Sequence, residues 1–586
     1  MSIQGRRRAV AVLGAAILAL QGAVPKAAWA QEGGYIAPAD AINALRDTRT
    51  PQAGPLGGPP RIPLTSQTPP AGASEIRFVL TALELSGGTV YAPGALAPYY
   101  QDRIGQEIRL DALYEIAAEL QARYRADGYL FNRVIVPAQS IEGGRARLEM
   151  LEAVLEEVTV EEPAGPLGPV RALAERIVAP LRGLRNPRLD QIEDVLLRLS
   201  DIPGVTRAAA VPKLGADGTR GAVRLFINME RAPLDIVAFA DNRQAPLAGR
   251  GLYGVVAAWN SWSDMADSTA LSVFGSGDFD DPFPEDFTER FTVQLEHQRH
   301  LTAGGAALQA RALYSETRPG GEVKAFDIFG SQAELELALV TPLLRSRALS
   351  VTGRAGVEIV EMDGELPGTS TAPGQVTAND SIRAVELALS VEQRDAFGAA
   401  EAAFEARAGL PILGASSAGE AGLSRSDGDG TFFLVRGRAA RTLVHPAVAP
   451  LEFWAELSGQ WADRPLLSYE EFAIGGPTLG RAFDPTEYAG DLGVGLAGEV
   501  RIPTTFDAFD ARIDATFYGF ADIAKVRNLE GGAPSVATLA SAGLGVRSAL
   551  PYGFALNLEA ARPLNQPLQR TQSKAWRFFF SASREF

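Results

Sequence analysis

The chain has 586 residues, no cysteine, and 55 Lys and Arg against 70 Asp and Glu, for a net charge of −15. Without cysteine there is no disulfide, thiolate nucleophile or cysteine metal site, and this charge argues against a nucleic-acid partner, which needs a concentrated basic surface. After the first thirty residues no apolar run approaches the length of a membrane helix, while a mean hydropathy of +0.01 is what alternating strands average to.

Arg6, Arg7 and Arg8 precede an apolar stretch from Ala9 to Leu20, and Ala28-Trp29-Ala30 supplies an A-x-A cleavage signal. Residues 1–30 therefore read as a secretory signal peptide, with the mature chain expected to begin at Gln31. Residues 31–75 open with a short helix, roughly Ala37 to Thr48, carrying Ile42 and Leu45 on one side. Pro51, Pro55, Pro59, Pro60, Pro63, Pro69 and Pro70 then make an extended, poorly packed linker.

Residues 76–152 read as strand, helix, helix, strand, strand. Phe78 to Leu85 is a predicted strand, and Leu110, Leu113, Ile116, Ala117, Leu120 and Tyr124 mark one face of a helix that Asp127-Gly128 ends. Strands follow at Leu130 to Val136 and Ala146 to Leu151. Residues 153–230 repeat the order, with strands at Val154–Val160, Val205–Val211 and Ala222–Met229 and a helix marked by Leu189, Ile192, Val195, Leu196 and Leu199. Two tandem units of about 75 residues, each with one amphipathic helix on a small sheet, are a repeat architecture.

From residue 231 to 586 side-chain type alternates at period two. Ala333, Leu335, Leu337 and Leu339 form one face and Glu334 and Glu336 the other; Val385, Leu387, Leu389 and Val391 oppose Glu386 and Ser390. Leu451, Phe453, Ala455 and Leu457 oppose Glu452, Glu456, Ser458 and Gln460, with Trp454 the one exception. Strands of this kind, turned with the greasy face to lipid, enclose a wet lumen. Sixteen candidate strands fit the region, the first near 234–242 and the last near 575–586, and an even number suits a bacterial barrel. The connections alternate: short turns lie near Thr302, Arg345, Asp395 and Tyr552, and long ones around 276–288, 362–382, 410–429, 462–491 and 524–538. Short periplasmic turns and long outer loops are the barrel pattern. The helix at 37–48, on a linker long enough to reach a lumen, is then read as a removable plug.

Carboxylates crowd two connections, Asp278, Asp280, Asp281, Glu285 and Asp286 in one and Asp427 and Asp429 in another, without calcium-loop spacing. His297, His300 and His445 sit in no metal frame, and no G-x-S-x-G or phosphate loop occurs. No catalysis, metal or cofactor is expected.

Several stretches together resemble one family. Tyr124-Arg125-Ala126-Asp127-Gly128-Tyr129, followed by Pro137-Ala138-Gln139, resembles a Y-x-x-x-G-Y…P-x-Q pattern. Ala240-Asp241-Asn242-Arg243 with Gly249-Arg250 resembles a D-N-x…G-R start of a barrel. Gly480-Arg481-Ala482-Phe483 stands where the family has V-R-G-F/Y, and Phe520-Ala521-Asp522 resembles its F-x-D. The order is similar to the outer-membrane transporters of two-partner secretion, the haemolysin/haemagglutinin secretion-activation family, over essentially the whole mature chain. The resemblance implies two small α/β polypeptide-transport-associated (POTRA) domains of β-α-α-β-β order, then a sixteen-stranded antiparallel barrel ending in an aromatic residue, here Phe586. It also implies that the loop between strands 11 and 12 folds into the lumen, where Arg481 pairs with Asp522. By parity Asp522 and Glu499 both point inward, so Glu499 is the second candidate partner, and Phe483 is the aromatic of the tip.

The implied function is an outer-membrane pore that recognises an unfolded exoprotein in the periplasm through its POTRA domains and passes it to the surface. The alternative is a barrel-assembly protein of similar build. The implied partners are a large, repetitive client, outer-membrane lipid, and the periplasmic chaperones and assembly machinery that insert the barrel itself.

Overall fold

The structure is a computed structural model that describes residues 67–92, 94–214, 221–277, 289–320, 324, 327–366, 375–444, 451–508, 511–529, 536–569 and 571–586. The signal peptide, the helix at 37–48, most of the proline-rich linker, the acidic run at 278–286 and His445 lie outside these residues. The chain divides into two compact units, with the break after Ala232.

The first unit holds two modules. In the first, β1 (Arg77–Val79) pairs with β3 (Glu107–Arg109), while β2 (Ala82–Ser86), β5 (Arg145–Leu151) and β4 (Arg133–Ile135) form a sheet in the order β2-β5-β4, with β2 parallel to β5. Helix α1 (Leu110–Ala126) buries Leu113, Ile116, Leu120 and Tyr124, the face that its three- and four-residue spacing sets up. The single strand expected at 78–85 is two. Leu80 is buried and gives its N–H to the Gln106 carbonyl, and Thr81 gives its own to Gly144, so the chain changes sheets there. The expected first helix of this module is two short 3-10 turns, Ala97–Tyr99 and Gln101–Arg103.

The second module contains β6 (Val154–Glu161), α2 (Val170–Val178), α3 (Leu189–Ser200), β7 (Val205–Leu214) and β8 (Ala222–Arg231), with sheet order β6-β8-β7 and β6 parallel to β8. It has two amphipathic helices rather than one. The nine residues of α2, too few to show a period clearly, still bury Val170, Leu173, Ala174 and Ile177.

The second unit is a closed barrel of sixteen antiparallel strands. They are β9 (Leu234–Asp241), β10 (Gly251–Asn260), β11 (Ser268–Gly277), β12 (Arg290–His300), β13 (Ala307–Thr317) and β14 (Phe329–Arg345). Next come β15 (Leu349–Leu366), β16 (Gln375–Asp395), β17 (Gly398–Gly409), β18 (Phe433–Val444) and β19 (Glu452–Ala462). A small hairpin, β20 (Phe472–Ile474) with β21 (Tyr488–Gly490), lies apart from the wall inside the next connection. The wall resumes with β22 (Leu492–Ala508), β23 (Ala511–Arg527), β24 (Val536–Leu550), β25 (Phe554–Pro563) and β26 (Arg577–Glu585), and β26 pairs with β9. Leu337, Leu339, Leu387, Phe404, Leu457, Leu496, Phe517 and Leu544 are exposed on its outer face, where Glu334, Glu336, Glu386 and Glu456 are buried on the inner one. Trp454 breaks the pattern because it faces inward, where its ring lies 5.0 Å from the Arg501 guanidinium. Several strands are longer than alternation indicated: β15 and β16 narrow the connection expected at 362–382 to 367–374. Main-chain pairing needs no greasy face, so the ribbon continues after the greasy-polar signal stops. A cysteine in place of Ser426, between β17 and β18, is expected to react with an impermeant reagent on intact cells, and one in place of Ser346, between β14 and β15, is expected not to. Reversed labelling would mean an inverted barrel.

Candidate functional site in the barrel lumen

The inward parity of β13 to β19 carries charge in both signs. Arg311 reaches Glu334, Glu336 at 3.0 Å and Glu358 at 3.3 Å, and Arg354 reaches Glu336 and Glu386. Arg407 contacts Glu358 and lies 3.6 Å from Glu386. Glu334, Glu336 and Glu358 converge closely enough to bracket a cation, but the Arg311 guanidinium already sits among them. The wall is thus a run of desolvated ion pairs whose charges offset each other.

The connection between β19 and β22 folds into this lumen and is held at its root and at its tip. At the root, Glu470 is completely buried. Its two carboxylate oxygens take hydrogen bonds of 2.8 Å from Arg407 on β17 and Arg436 on β18. Arg425, from the connection between β17 and β18, binds Glu471 at 2.9 Å and Asp491 at 2.6 Å. Asp491 also accepts the backbone N–H groups of Leu466 and Leu529.

At the tip, Gly480 adopts φ +73°, and a side chain there would crowd Gly475 and Leu539. The left-handed turn therefore falls on Gly480, where the family pattern has Val, and Ala482 is free to be buried without strain. Phe483 is 1 % exposed, in an apolar cluster with Leu479, Tyr518, Phe520 and Leu539. Arg481 donates to Glu499 on β22 at 2.6 Å, lies 3.7 Å from Glu559 on β25, and stacks 4.4 Å from the Phe520 ring. Glu499 also accepts Arg501 at 2.6 Å and Arg547 at 2.8 Å.

The pairing of Arg481 with Asp522 is corrected by this geometry. Asp522 does point inward and does bind the tip, but through the backbone: it accepts the Gly480 N–H at 2.6 Å and the Ser541 hydroxyl at 2.7 Å. Parity leaves both acids eligible. The choice falls to the turn at Gly480, which aims its N–H at Asp522 and the next side chain at Glu499.

The remaining motif residues are structural. The Tyr124 hydroxyl donates to Glu152 at 3.2 Å, and its ring meets Tyr129 edge-on at 6.1 Å. Gly128 holds φ +89° and its carbonyl accepts the Leu189 N–H, while Arg188 packs on the Tyr129 ring at 5.6 Å, so this motif joins the two modules. Pro137 has no N–H to continue the β4–β5 ladder. Gln139 completes it instead, its side chain accepting the Arg147 N–H at 2.7 Å and donating to the Arg147 carbonyl at 2.8 Å. Phe586 gives its N–H to the Ile236 carbonyl at 3.0 Å, so the C-terminal residue lengthens the pairing of β26 with β9.

Three functional-looking residues, Glu470, Glu152 and Arg577, lay in no motif, and Arg243 fell at the unspecified position of the D-N-x stretch. Glu152 accepts the N–H groups of Thr89 and Val90 at 2.6 and 2.8 Å and Asn186 from the second module at 2.9 Å. Burial alone would raise its carboxyl, but these bonds from Thr89 and Asn186 hold it below the usual range. A carboxyl depressed in the folded state contributes stability above its unfolded pKa of about 4.3 and loses that contribution as pH falls. Fluorescence-monitored melting should therefore show the modules weakening below about pH 4, and Glu152→Gln should flatten that dependence. An unchanged pH profile in the variant would count against the assignment.

A closed polar-lined barrel with its own loop in the lumen, after two small α/β modules, defines a POTRA-barrel protein of the bacterial outer membrane. Residues 78–153 match the POTRA domain of ShlB type, and residues 226–548, over half of the chain, match the haemolysin secretion/activation protein family ShlB/FhaC/HecB. The chain belongs to that family. It is 21 % identical over 280 residues to the heme/hemopexin transporter protein HuxB of Haemophilus influenzae (strain 86-028NP), a match covering 46 % of each chain. The chain thus spans about half the length of the curated relatives it matches. The solved structure of CdiB from Escherichia coli superposes with a TM-score of 0.68 at 15 % identity, covering 95 % of this chain and 100 % of that one. CdiB from Acinetobacter baumannii gives 0.56 at 16 %, covering 93 % and 98 %. These two likenesses are of fold.

Proposed function

We propose that this protein carries an unfolded exoprotein from the periplasm to the cell surface, with the POTRA modules capturing the client and the barrel lumen passing it. The observation that supports the reading best is the lumen itself. It is lined with paired charges and filled by a loop held through hydrogen bonds and ion pairs at two ends, contacts that can be exchanged for those of a passing polar chain. Among the described residues there is no nucleotide-binding motif, so the drive comes from the client's own binding and folding outside.

Capture by strand addition needs an open edge, since main-chain groups then supply affinity with little demand on sequence. The outer edge of β4 is closed by Gln121 on the Val134 N–H and Gln67 on both polar groups of Val136. That of β6 is closed by Gly183 and Leu184 and by the side chains of Arg171 and Arg182. Among the described residues no backbone pairs with the outer edge of β7, whose Ala208-Ala209-Ala210-Val211 presents small side chains to an incoming strand. Proline in place of Ala209 or Ala210 is expected to abolish micromolar binding of the client's N-terminal segment to the full-length protein in nanodiscs, for whichever position donates outward. Binding unaffected by both would sink the β7 assignment. Loss of many outer-membrane barrels on depletion, without loss of a secreted protein, would favour barrel assembly instead.

A further inference from the structure

The weakest join in the barrel wall is where it closes. The β9–β26 ladder runs from Ser581↔Asp241 to Glu585↔Val237, five residues long, with one further backbone bond at each end, from the Asn242 N–H to the Phe580 carbonyl at 3.3 Å and from the Phe586 N–H to the Ile236 carbonyl at 3.0 Å, whereas the ladders on either side of it, β9–β10 and β25–β26, each run eight. At the Asn242 end a side chain reinforces the backbone. Asn242 accepts the Phe580 N–H at 2.8 Å and donates to the Phe578 carbonyl at 3.1 Å, imitating one more peptide unit of β9.

The tip of the lumenal loop lies across this seam. Arg243, two residues past the end of β9, donates to the carbonyl of Arg481 at 3.4 Å. Arg577, the first residue of β26, donates to the carbonyl of Ala482 at 3.0 Å and to the Asp484 carboxylate at 2.5 Å. Both guanidinium groups pack on the Phe579 ring, at 4.2 and 5.0 Å. Their like charges are balanced separately, Arg243 by Glu559 at 2.6 Å and Arg577 by Asp484. Two consecutive carbonyls of the loop are therefore gripped from the two sides of the seam. The acceptors are main-chain atoms, so Arg481→Ala removes no atom of this grip and loosens it only by letting the tip move.

We propose that the docked loop is a staple across the closing seam, with Arg243 and Arg577 as the positioning residues that link loop position to the pairing of β9 with β26. While the tip is docked, each seam strand is tied through it to the other. When the tip leaves, the seam is left with its short ladder, Asn242 and the Phe586 bond at the other end. The barrel wall is then least secure at the moment the lumen is open. This inference concerns the wall and stands whatever passes through the pore.

Hydrogen exchange, read by mass spectrometry on the full-length protein in nanodiscs, tests it without any client. In Arg243→Gln/Arg577→Gln, peptides from β9 and β26 are expected to exchange tenfold or more faster, with β15 and β16 unchanged. Releasing the tip from elsewhere, by Arg481→Ala or by Glu499→Gln, should speed the same seam peptides, because coupling runs in both directions. Heat-modifiable migration on gels checks that each variant is a folded barrel. Seam exchange that stays at the native rate in folded variants overturns the proposal, as does equal acceleration in every strand, which would mark general destabilisation.

Discussion

Glu499→Gln is expected to release the loop tip and abolish controlled passage while the barrel still assembles. One buried carboxylate offsets three guanidinium groups, those of Arg481, Arg501 and Arg547, within 2.8 Å. The glutamine keeps the shape and loses the charge, leaving three cations without their common partner. Breaking a buried pair of this kind costs about 2–5 kcal/mol, and each ~1.4 kcal/mol lowers the docked-to-undocked ratio tenfold. Large-conductance openings in planar bilayers should become frequent, and secretion should fall sharply. Arg481→Ala should do the same through one partner fewer. A double-mutant cycle then distinguishes the two acids. Arg481→Ala combined with Glu499→Gln should be little worse than Glu499→Gln alone, because the contact between the two is lost only once. Combined with Asp522→Asn it should come closer to additive, since Asp522 holds the backbone of the tip at Gly480 whereas the Arg481 guanidinium bonds Glu499. Strong coupling to Asp522 and none to Glu499 would refute the geometry at the tip.

Glu470→Ala should have a comparable effect at the other end of the loop. The carboxylate is wholly buried, and both of its oxygens are taken by arginines on two adjacent strands. Removing it leaves Arg407 and Arg436 with surplus positive charge in a desolvated wall, a loss of about 3–5 kcal/mol. Glu470→Gln retains acceptor and shape and should be milder. With its root free, the connection at 462–491 should become cleavable by protease added to intact cells, where the native protein resists. If Glu470→Ala remains as resistant and as quiet in conductance as the native chain, the root anchor carries no weight.

Family membership and outer-membrane placement follow from the sequence matches together with the barrel. Passage of an exoprotein, by contrast, is the reading that these variants probe, together with the β7 proline substitutions.

The period-two alternation was enough to number the strands, orient their faces and place Glu499 and Asp522 inside, because a strand's geometry is local: each residue turns to the opposite face whatever the partner strand does. Helix α1 was legible for the same reason, its stripe being set by 3.6 residues per turn. Tertiary structure alone decided what depends on distant chain segments meeting. Trp454 breaks the alternation because Arg501, from the neighbouring strand, supplies a cation for its ring. Arg481 faces Glu499 rather than Asp522 because of the left-handed turn at Gly480, and both acids have the same parity. The Glu470 clasp and the grip of Arg243 and Arg577 on the loop join residues dozens to hundreds of positions apart, and an isolated Arg or Glu on an inward face carries no mark of its partner. Which sheet edge stays open was likewise unreadable, since edges are closed by side chains such as Gln67, Gln121 and Arg182 that arrive from outside their sheet. Periodicity reports the local environment of a residue, whereas pairing between charges depends on the closed wall that brings them within a few ångströms.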